Sequence, residues 1–576
     1  IDLMGWPYKN PIDGSSVYYR ANNGIQNPRW TVENSLIREK IYRTFGNIQM
    51  KYDIMKGLSV LYRLGIDVYN TLNELTVNKG GTTGGLQYTT GMYRTLNSTN
   101  SILDHNILVN YVKDLNEDWN LTLDGGLSLR NDNYTQNGMK STQQLVFGLF
   151  NHGNFVNHEA VGEDGGNLNF DSQQKRFGAF LSASGGYRNY LYLNVGGRES
   201  WVSTLEESNR KIFYPSASIS MIPTAAINGL KNNKWVNFLK VRVGYSTSAR
   251  FPDPYTTRTA LNIQTNAFVD RNGNVINQNA IPNRLANPDL KPELLKEYEA
   301  GLEGTFINHR LTVDLTFYKR ISSNQILDRS LDPSTGYTVT SVNAGDVRNE
   351  GIELGLGYNV VKARDWNWQL NANWTINKSL VYDLPSYIKQ INFAGYSNLG
   401  NFAINGQPLG ILQGSVTSVD PKTGQKLLDD NGYYVQDPNI GILGSPLPQY
   451  KLTGISELTW KSLTFRAQMD YSVGGKMISL TTASLLARGL TKDMDFDRTI
   501  PITLPGIRQS TGKPNDIQTG ATSAYFNTYF GPNDFQVWDA TLIRLREVSL
   551  SYSSVSYTHL RAHETPEHLV CRLLLE

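Results

Sequence analysis

Asp365 to Asn377 reads D-W-N-W-Q-L-N-A-N-W-T-I-N, so that Trp366, Trp368, Leu370, Ala372, Trp374 and Ile376 alternate without a break with Asn367, Gln369, Asn371, Asn373, Thr375 and Asn377. A period of two puts successive side chains on opposite sides of a strand, giving this segment one apolar face and one polar face. It is also long enough to cross a bilayer, which takes about 9–11 tilted residues. What the two faces meet decides what the chain is.

The pattern recurs. Leu311, Val313, Leu315 and Phe317 alternate with Thr312, Asp314 and Thr316, and Leu463, Phe465, Ala467, Met469 and Tyr471 alternate with Thr464, Arg466, Gln468, Asp470 and Ser472. Trp119 to Arg130, Ile48 to Ile54, Leu58 to Val68, Leu191 to Val195 and Leu239 to Ser246 repeat it. Roughly fifteen such segments precede residue 553, and none has a helical period. The expected fold class is all-β.

A soluble sandwich strand also has one buried and one solvated face, so alternation alone does not separate it from an outer-membrane barrel. The connections do. Short turns at Asn116 to Asp118, Asn308 to Arg310, Ala363 to Asp365 and Lys461 to Ser462 alternate with long polar stretches at Asn70 to Asp104, Ser248 to Leu295, Lys378 to Gln449 and Gly474 to Asp539. Transmembrane β-barrels have short periplasmic turns and long extracellular loops, whereas a propeller would repeat every 40–50 residues or so. The expectation is a transmembrane antiparallel β-barrel with its tryptophan face toward lipid and its Asn/Gln/Thr face toward a lumen.

Composition agrees. Hydrophobic residues make up 39% of the chain, with no apolar run long enough for a membrane-spanning helix. A closed sheet crosses lipid with half its side chains polar, because its backbone amides are paired within the protein. Trp119, Trp366, Trp368, Trp374 and Trp460 near strand ends fit interfacial girdles, and equally fit ordinary β-propensity. The net charge of +3 and the lack of a basic stripe give no reason to expect a nucleic-acid partner.

Both ends are unusual. The chain opens at Ile1 without an initiator methionine or an export signal, so the N-terminal part of an exported barrel is expected to be missing. Trp538 to Ser553 reads as a strand with a phase slip near Arg546 and Glu547, the mark of a bulge. Residues 554–576 then hold three of the seven histidines and the only cysteine, Cys571. His559, His563, His568 and Cys571 could suggest zinc, but Pro566 interrupts the helix that would present them. The segment resembles a translated sequencing-adapter read-through and is expected to be a non-native tail, leaving residues 1–553 as barrel. That body has no cysteine, so it can form no disulfide.

Several segments carry a family resemblance. Asn27-Pro28-Arg29-Trp30, the strand pair from Gly46 to Asn70, N-P-D-L-K-P-E from Asn287 to Glu293 with Tyr298 to Glu303 after it, and Asn343 to Leu354 resemble the barrel of SusC/RagA-family TonB-linked outer-membrane proteins. Gly444 to Tyr450 and Leu542 to Tyr552 are similar to its later strands, in the same order. The resemblance implies part of a 22-stranded TonB-dependent barrel with its plug absent, in the outer membrane of a Gram-negative, Bacteroidetes-like cell. It implies active uptake of an oligosaccharide or oligopeptide, powered by the TonB-ExbB-ExbD complex through the missing plug and capped by a SusD-like surface lipoprotein. No cofactor is implied. With fewer strands than 22, the chain alone would have two unpaired edges. A siderophore or cobalamin receptor, a passive porin and, last, a soluble β-rich hydrolase are the alternatives.

Most motifs also have plain structural readings. Asn287-Pro288 and Lys291-Pro292 set extended turns before a strand, and Gly345, Gly351, Gly355 and Gly357 suggest a bulge or close backbone approach. Asp270 to Asn274 has the start of a calcium loop without its distal glutamate, and reads as a turn. Ser418 to Val435 reads as a loop hairpin with turns at Thr423-Gly424 and Asn431-Gly432. His105, His152, His158 and His309 are scattered, although His152 and His158 share a polar loop with Glu159, Glu163 and Asp164, a conceivable metal or ligand cluster. No nucleophile motif accompanies them, and the chain reads as a transporter, not an enzyme. If ligand contacts exist they belong to the lumen-facing row and the long loops, where Tyr255, Tyr337, Tyr433, Tyr434 and Tyr525 are aromatics of the kind that stack on sugars or simply pack loops.

Overall fold

The computed structural model describes residues 4–17, 26–82, 89–162, 166–231, 233–259, 261–269, 271–529 and 531–553; the tail assigned to residues 554–576 lies outside them. One antiparallel sheet dominates. Its strands, in chain order, are β1 (Ser35–Met55), β2 (Leu58–Val77), β3 (Met92–Asp114), β4 (Trp119–Gln144), β5 (Phe170–Tyr187), β6 (Leu191–Val202), β7 (Lys211–Met221), β8 (Val236–Arg250), β9 (Glu293–Phe306), β10 (Leu311–Ser323), β11 (Asp346–Lys362), β12 (Trp366–Tyr382), β13 (Tyr450–Trp460), β14 (Leu463–Val473) and β15 (Leu542–Tyr552). Each pairs with its neighbours in sequence, so the sheet is a continuous up-and-down wall, and Phe155–Glu159 adds a short ribbon to the end of β4. Among the described residues β1 and β15 are paired on one side only.

The predicted turns are present. Residues 307–310 turn through left-handed backbone at Ile307, Asn308 and His309, and Lys461 does the same between β13 and β14. Gly57 in the β1–β2 turn has φ +84, and a Cβ there would stand 2.2 Å from the Val112 carbonyl, so both conformation and space require glycine. At Gly351 only space matters: the Tyr318 ring lies across it, with the hydroxyl 2.3 Å from where a Cβ would be, while the register passes through Gly351 without a shift. Of the two alternatives for that glycine, close approach is realised. The bulge read near Arg546 is also real, because Gln468 pairs Glu547 while Met469 pairs Leu545, leaving Arg546 extra.

Three stretches read as loop begin or end as wall strand. The pairing of β2 with β3 continues to Val77 and Met92, β8 and β9 reach Arg250 and Glu293, and β12 runs to Tyr382. The cause is visible on the outer face of β2, β3 and β4. On β2 it is apolar from Val60 through Val68 and then turns polar where Asn70 donates to Asn97 (2.7 Å) and Thr99 (3.0 Å), while on β3 and β4 polar residues enter sooner, at His105, Ser101 and Asn131. These strands, up to 26 residues long, outrun the membrane; above it both faces are wet, and the hydrophobic period that marks a strand disappears while its hydrogen bonds do not. The strict long-short alternation also fails once. The extracellular connection 203–210 is shorter than 222–235 on the opposite side, which holds the short helix Pro223–Ala226.

The outward row is apolar and open: Leu181 is 66% exposed and Val243 52%. Trp366 and Trp460 stack at 5.7 Å, and Trp119 meets Tyr187 at 4.6 Å, both at the short-turn end. Trp374 lies well along β12, opposite Leu452, so the tryptophans of this strand bracket an apolar band and do not crowd one end. No helix among the described residues is long and apolar enough to cross a membrane, as a strand-built wall requires none.

A positive charge in mid-band should be far more costly outside than inside. Leu181→Arg is expected to destabilise the wall by about 2–4 kcal/mol, and Ser182→Arg, facing the lumen, by less than about 1 kcal/mol. Denaturant titration of the protein folded into liposomes measures both; equal costs would contradict the assignment of faces.

Candidate functional site

The inward face of β8 to β12 is a lattice of charges. Pairing aligns Arg242 with Gly301, Thr316, Glu353 and Thr375, and the adjacent rungs align Glu299 with Tyr318 and Lys240 with Glu303 and Asp314. Arg242 donates to Glu299 (2.9 Å), Glu303 (2.6 Å) and Thr316 (2.7 Å), spending its planar fork on three acceptors. Arg320 grips Glu297 at 3.0–3.2 Å one end further up. Further round, Arg466 bridges Glu457 and Glu547, Arg546 pairs with Asp470, and Arg43 holds Asp67 through two bonds. A hollow of about 400 Å³ beside Arg242 is lined by Ser216, Ser218, Ser220, Lys240 and Glu299. Chemically this is a wetted wall of paired charges and hydroxyls. It offers many exchangeable hydrogen bonds to a polar solute and no single dominant one.

The loops form a roof with its own core. Segments 418–435, 480–504 and 519–529 pack Leu428, Leu486, Met494, Leu504, Tyr525 and Phe526 into one buried cluster. The anticipated hairpin turns hold, with Gly424 and Gly432 in left-handed backbone and the short strand Leu427–Leu428 pairing with Ile507–Arg508. Lys426 sits 3.4 Å above the Phe535 ring and 3.1 Å from Asp534, tying the two longest loops together. Another tie joins 203–210 to 251–292: Arg258 and Thr257 donate to Glu206, whose carboxyl is held down at about 2, first by the Arg258 hydrogen bonds.

The five loop tyrosines separate. Tyr433, Tyr434 and Tyr525 come together in the roof cluster. Tyr525 is 5% exposed and its ring meets Phe496, Phe526 and Tyr529, while burial pushes the Tyr434 hydroxyl up. Tyr255 stands apart, 56% exposed and on left-handed backbone, and Tyr337 follows the 3-10 turn Pro333–Thr335 in the connection between β10 and β11. Asn27-Pro28-Arg29-Trp30 begins a short helix: Asn27 accepts from the Arg29 amide, and Trp30, fully buried, donates to the Gly14 carbonyl at 2.8 Å. Asp270 of the calcium-like segment lies outside the described residues.

His152 and His158 do converge, though not on the carboxylates of their loop. Both Nδ1 atoms lie at hydrogen-bond distance from the buried Ser141 hydroxyl (2.7 and 2.8 Å), and His152 Nε2 reaches Thr95 at 2.8 Å. A hydroxyl donates one proton, so it can serve only one of the two Nδ1 atoms as donor, and a ring that accepts from Ser141 must be neutral. Burial, and then the charge of His158, hold His152 below its ordinary range. Glu159 is taken by Lys140, Glu163 and Asp164 lie outside the described residues, and no three metal-ligating side chains cluster among the described residues. Sequence reading missed Ser141 and the Arg242 lattice. Glu297, Glu299 and Glu303 at even spacings along one face of β9 were the available signal for the latter, but only pairing brings Arg242 to them.

With a polar lumen, an apolar exterior and a loop roof in place, comparison is informative. The profile of the family described as TonB dependent receptor-like, beta-barrel, matches residues 3–478. The chain belongs to that family. TonB-dependent receptor P26 of Formosa agariphila is 24% identical over 479 residues, covering 77% of this chain and 45% of that protein, and TonB-dependent receptor P3 of the same organism is 22% identical over 572 residues, covering 94% and 54%. The chain therefore spans about half the length of the curated relatives it matches. The RagAB peptide transporter matches in structure with a TM-score of 0.72 at 17% identity, covering 94% of this chain and 58% of that one, and the open-open state of the RagAB peptide importer gives 0.70. This chain is a stretch of outer-membrane β-barrel wall of the TonB-dependent receptor type, and it shares its fold with the RagAB transporter.

Two outcomes test the site. Neutral His152 stabilises the 145–159 segment fully above the ordinary histidine value of 6.5, and that contribution is lost as pH falls below it toward the lowered native value. Proteolysis of this segment should accelerate from about pH 7.5 to about pH 5.5, and His152→Gln should flatten the profile; a pH-independent rate in the unsubstituted protein would contradict a buried, neutral His152. Tyr525→Ala should loosen the roof by about 3–5 kcal/mol, against less than about 0.5 kcal/mol for Tyr255→Ala, read by hydrogen exchange across 480–529.

Proposed function

We propose that this chain forms the wall and roof of a TonB-driven importer for an oligomeric polar nutrient, an oligosaccharide or oligopeptide. The observation that carries the reading is the lumen lattice around Arg242, roofed by loops packed tightly enough to keep a fixed shape. An oligomer of sugars or amino acids exchanges hydrogen bonds with such a wall along its length and is held by many weak contacts, which favours passage over trapping. RagAB, which shares this fold, is a peptide transporter, and the paired charges here suit a peptide's termini and amides as well as sugar hydroxyls.

In the whole protein a plug fills the lumen and TonB with ExbB-ExbD pulls it, while a SusD-like lipoprotein closes over the roof. Tyr255 and Tyr337, on connections outside the roof core, are proposed to touch the cargo, whereas Tyr433, Tyr434 and Tyr525 act through the shape of the roof they pack. Substrate binding is thereby separated from scaffold: the loops choose the cargo and the lattice lets it pass.

Uptake measurements on cells carrying the full-length receptor test this. Accumulation of labelled oligopeptide or oligosaccharide pools should require the receptor gene and vanish when TonB is deleted. Tyr255→Ala should raise the half-saturating concentration about three- to tenfold with the maximal rate kept. Uptake that persists without TonB would identify a passive pore and contradict the proposal.

A further inference from the structure

The outer face of the wall carries, at its extracellular end, charges that the lumen cannot use. On β9 to β12 two neighbouring rungs face outward there: Lys296, Ile321, Arg348 and Leu380 in one, and Tyr298, Lys319, Glu350 and Lys378 in the next. Below them every outward position on these strands is apolar for two rungs, Ala300, Phe317, Ile352 and Ile376, then Leu302, Leu315, Leu354 and Trp374. The four cations therefore stand at the upper edge of the lipid band, on strands about 4.8 Å apart. Two carboxylates share the region. Glu350 bridges Lys319 (3.5 Å) and Arg348 (3.0 Å), and Asp346, one rung higher, accepts from Ser323 and the Asn324 amide.

Glu350, which faces Lys319 and Lys378 and bridges Lys319 and Arg348, cannot balance all four cations, and proximity to lipid strengthens the repulsion that remains among them. An excess of cations at this spot is relieved by an anion from the membrane side. Beside the cluster runs an apolar trough of about 610 Å³ with Leu193, Ile219, Val243 and Phe317 as walls and the small side chains of Ala217 and Ala300 as floor; Tyr298 and Lys319 stand at its upper end. Basic residues above and a trough reaching down into the lipid band match one kind of molecule, an amphiphile with an anionic head and an acyl chain. We propose that this face holds one phosphate-bearing, acylated lipid of the outer leaflet, its phosphate among Lys319, Arg348 and Lys378 and an acyl chain along the trough. Such a lipid would tie the receptor's extracellular rim to the leaflet around it.

Native mass spectrometry of the detergent-purified full-length receptor tests the site, with dioleoyl phosphatidic acid as probe, the phosphatidylcholine of the same chains as control and inorganic phosphate as competitor. The receptor should retain one phosphatidic acid in preference to phosphatidylcholine, and the combined Lys319→Gln, Arg348→Gln and Lys378→Gln variant should lower that retention on the order of a hundredfold. Ala300→Phe, which fills the trough and leaves every charge, should lower it too, and Lys319→Arg with Lys378→Arg should keep it, showing that charge and not folding was lost. Equal retention of the two lipids, unchanged retention in the triple variant, or displacement of the lipid by millimolar inorganic phosphate would each overturn the proposal.

Discussion

The structure depends on one constraint: in lipid a backbone amide has no water to turn to, so every N–H and C=O crossing the membrane must pair within the protein. Between β1 and β15 the antiparallel ladder meets it strand by strand, with only local register shifts such as those at Asn359/Val361 and Arg546, and among the described residues only the outer edges of those two strands are left over. Once the ladder is fixed, the pleat decides the rest. Each strand must send one row of side chains to lipid and the other inward, which is why Trp374 and Thr375, adjacent in sequence, live in different solvents. The same geometry lines up Arg242 with Glu299 and Glu303 from separate strands, and places Lys319 outside while Tyr318 points in.

Above the membrane that constraint relaxes, and another takes over. Backbone pairing continues in β2, β3 and β4 with polar side chains on both faces, and the long connections build small cores of their own. The roof cluster around Tyr525, a second around Val347 and Val381 and a third around Val202, Leu205 and Leu290 are satellites, each burying a handful of side chains and stitched by contacts such as Lys426 on Phe535. A roof held this way keeps its shape while standing on a wall whose own interior is open to water. That division suits a receptor in which the wall is generic and the loops are particular.

How much could be read in advance follows the same division. Within the membrane band the alternation of Asp365 to Asn377 or of Leu463 to Ser472 is written in residue chemistry, so strands, faces and the Arg546 bulge were legible. Outside it, Thr95 to Asn106 gives no period, because water on both sides removes the selection that creates one, and a paired strand looked like loop. Sites assembled across strands were the least legible. Ser141 with His152 and His158, and Arg242 with Glu299, Glu303 and Thr316, join residues whose meeting depends on register, and register is a property of the pair and not of either strand. The five loop tyrosines show the same limit: composition singled them out together, and only packing divides Tyr525 from Tyr255.

The account stands on the claim that the two faces of the wall meet lipid and water respectively. Residues 1–553 contain no cysteine, so in a cysteine-free version of the receptor single cysteines can be placed one at a time from Asn367 to Ile376. In native outer membranes carrying the full-length receptor, a membrane-impermeant thiol reagent should label positions 367, 369, 371, 373 and 375, and positions 368, 370, 372, 374 and 376 should stay unlabelled unless a lipid-soluble reagent is used. Labelling without that period of two, or its inverse, would contradict a lipid-facing tryptophan row and with it the barrel wall.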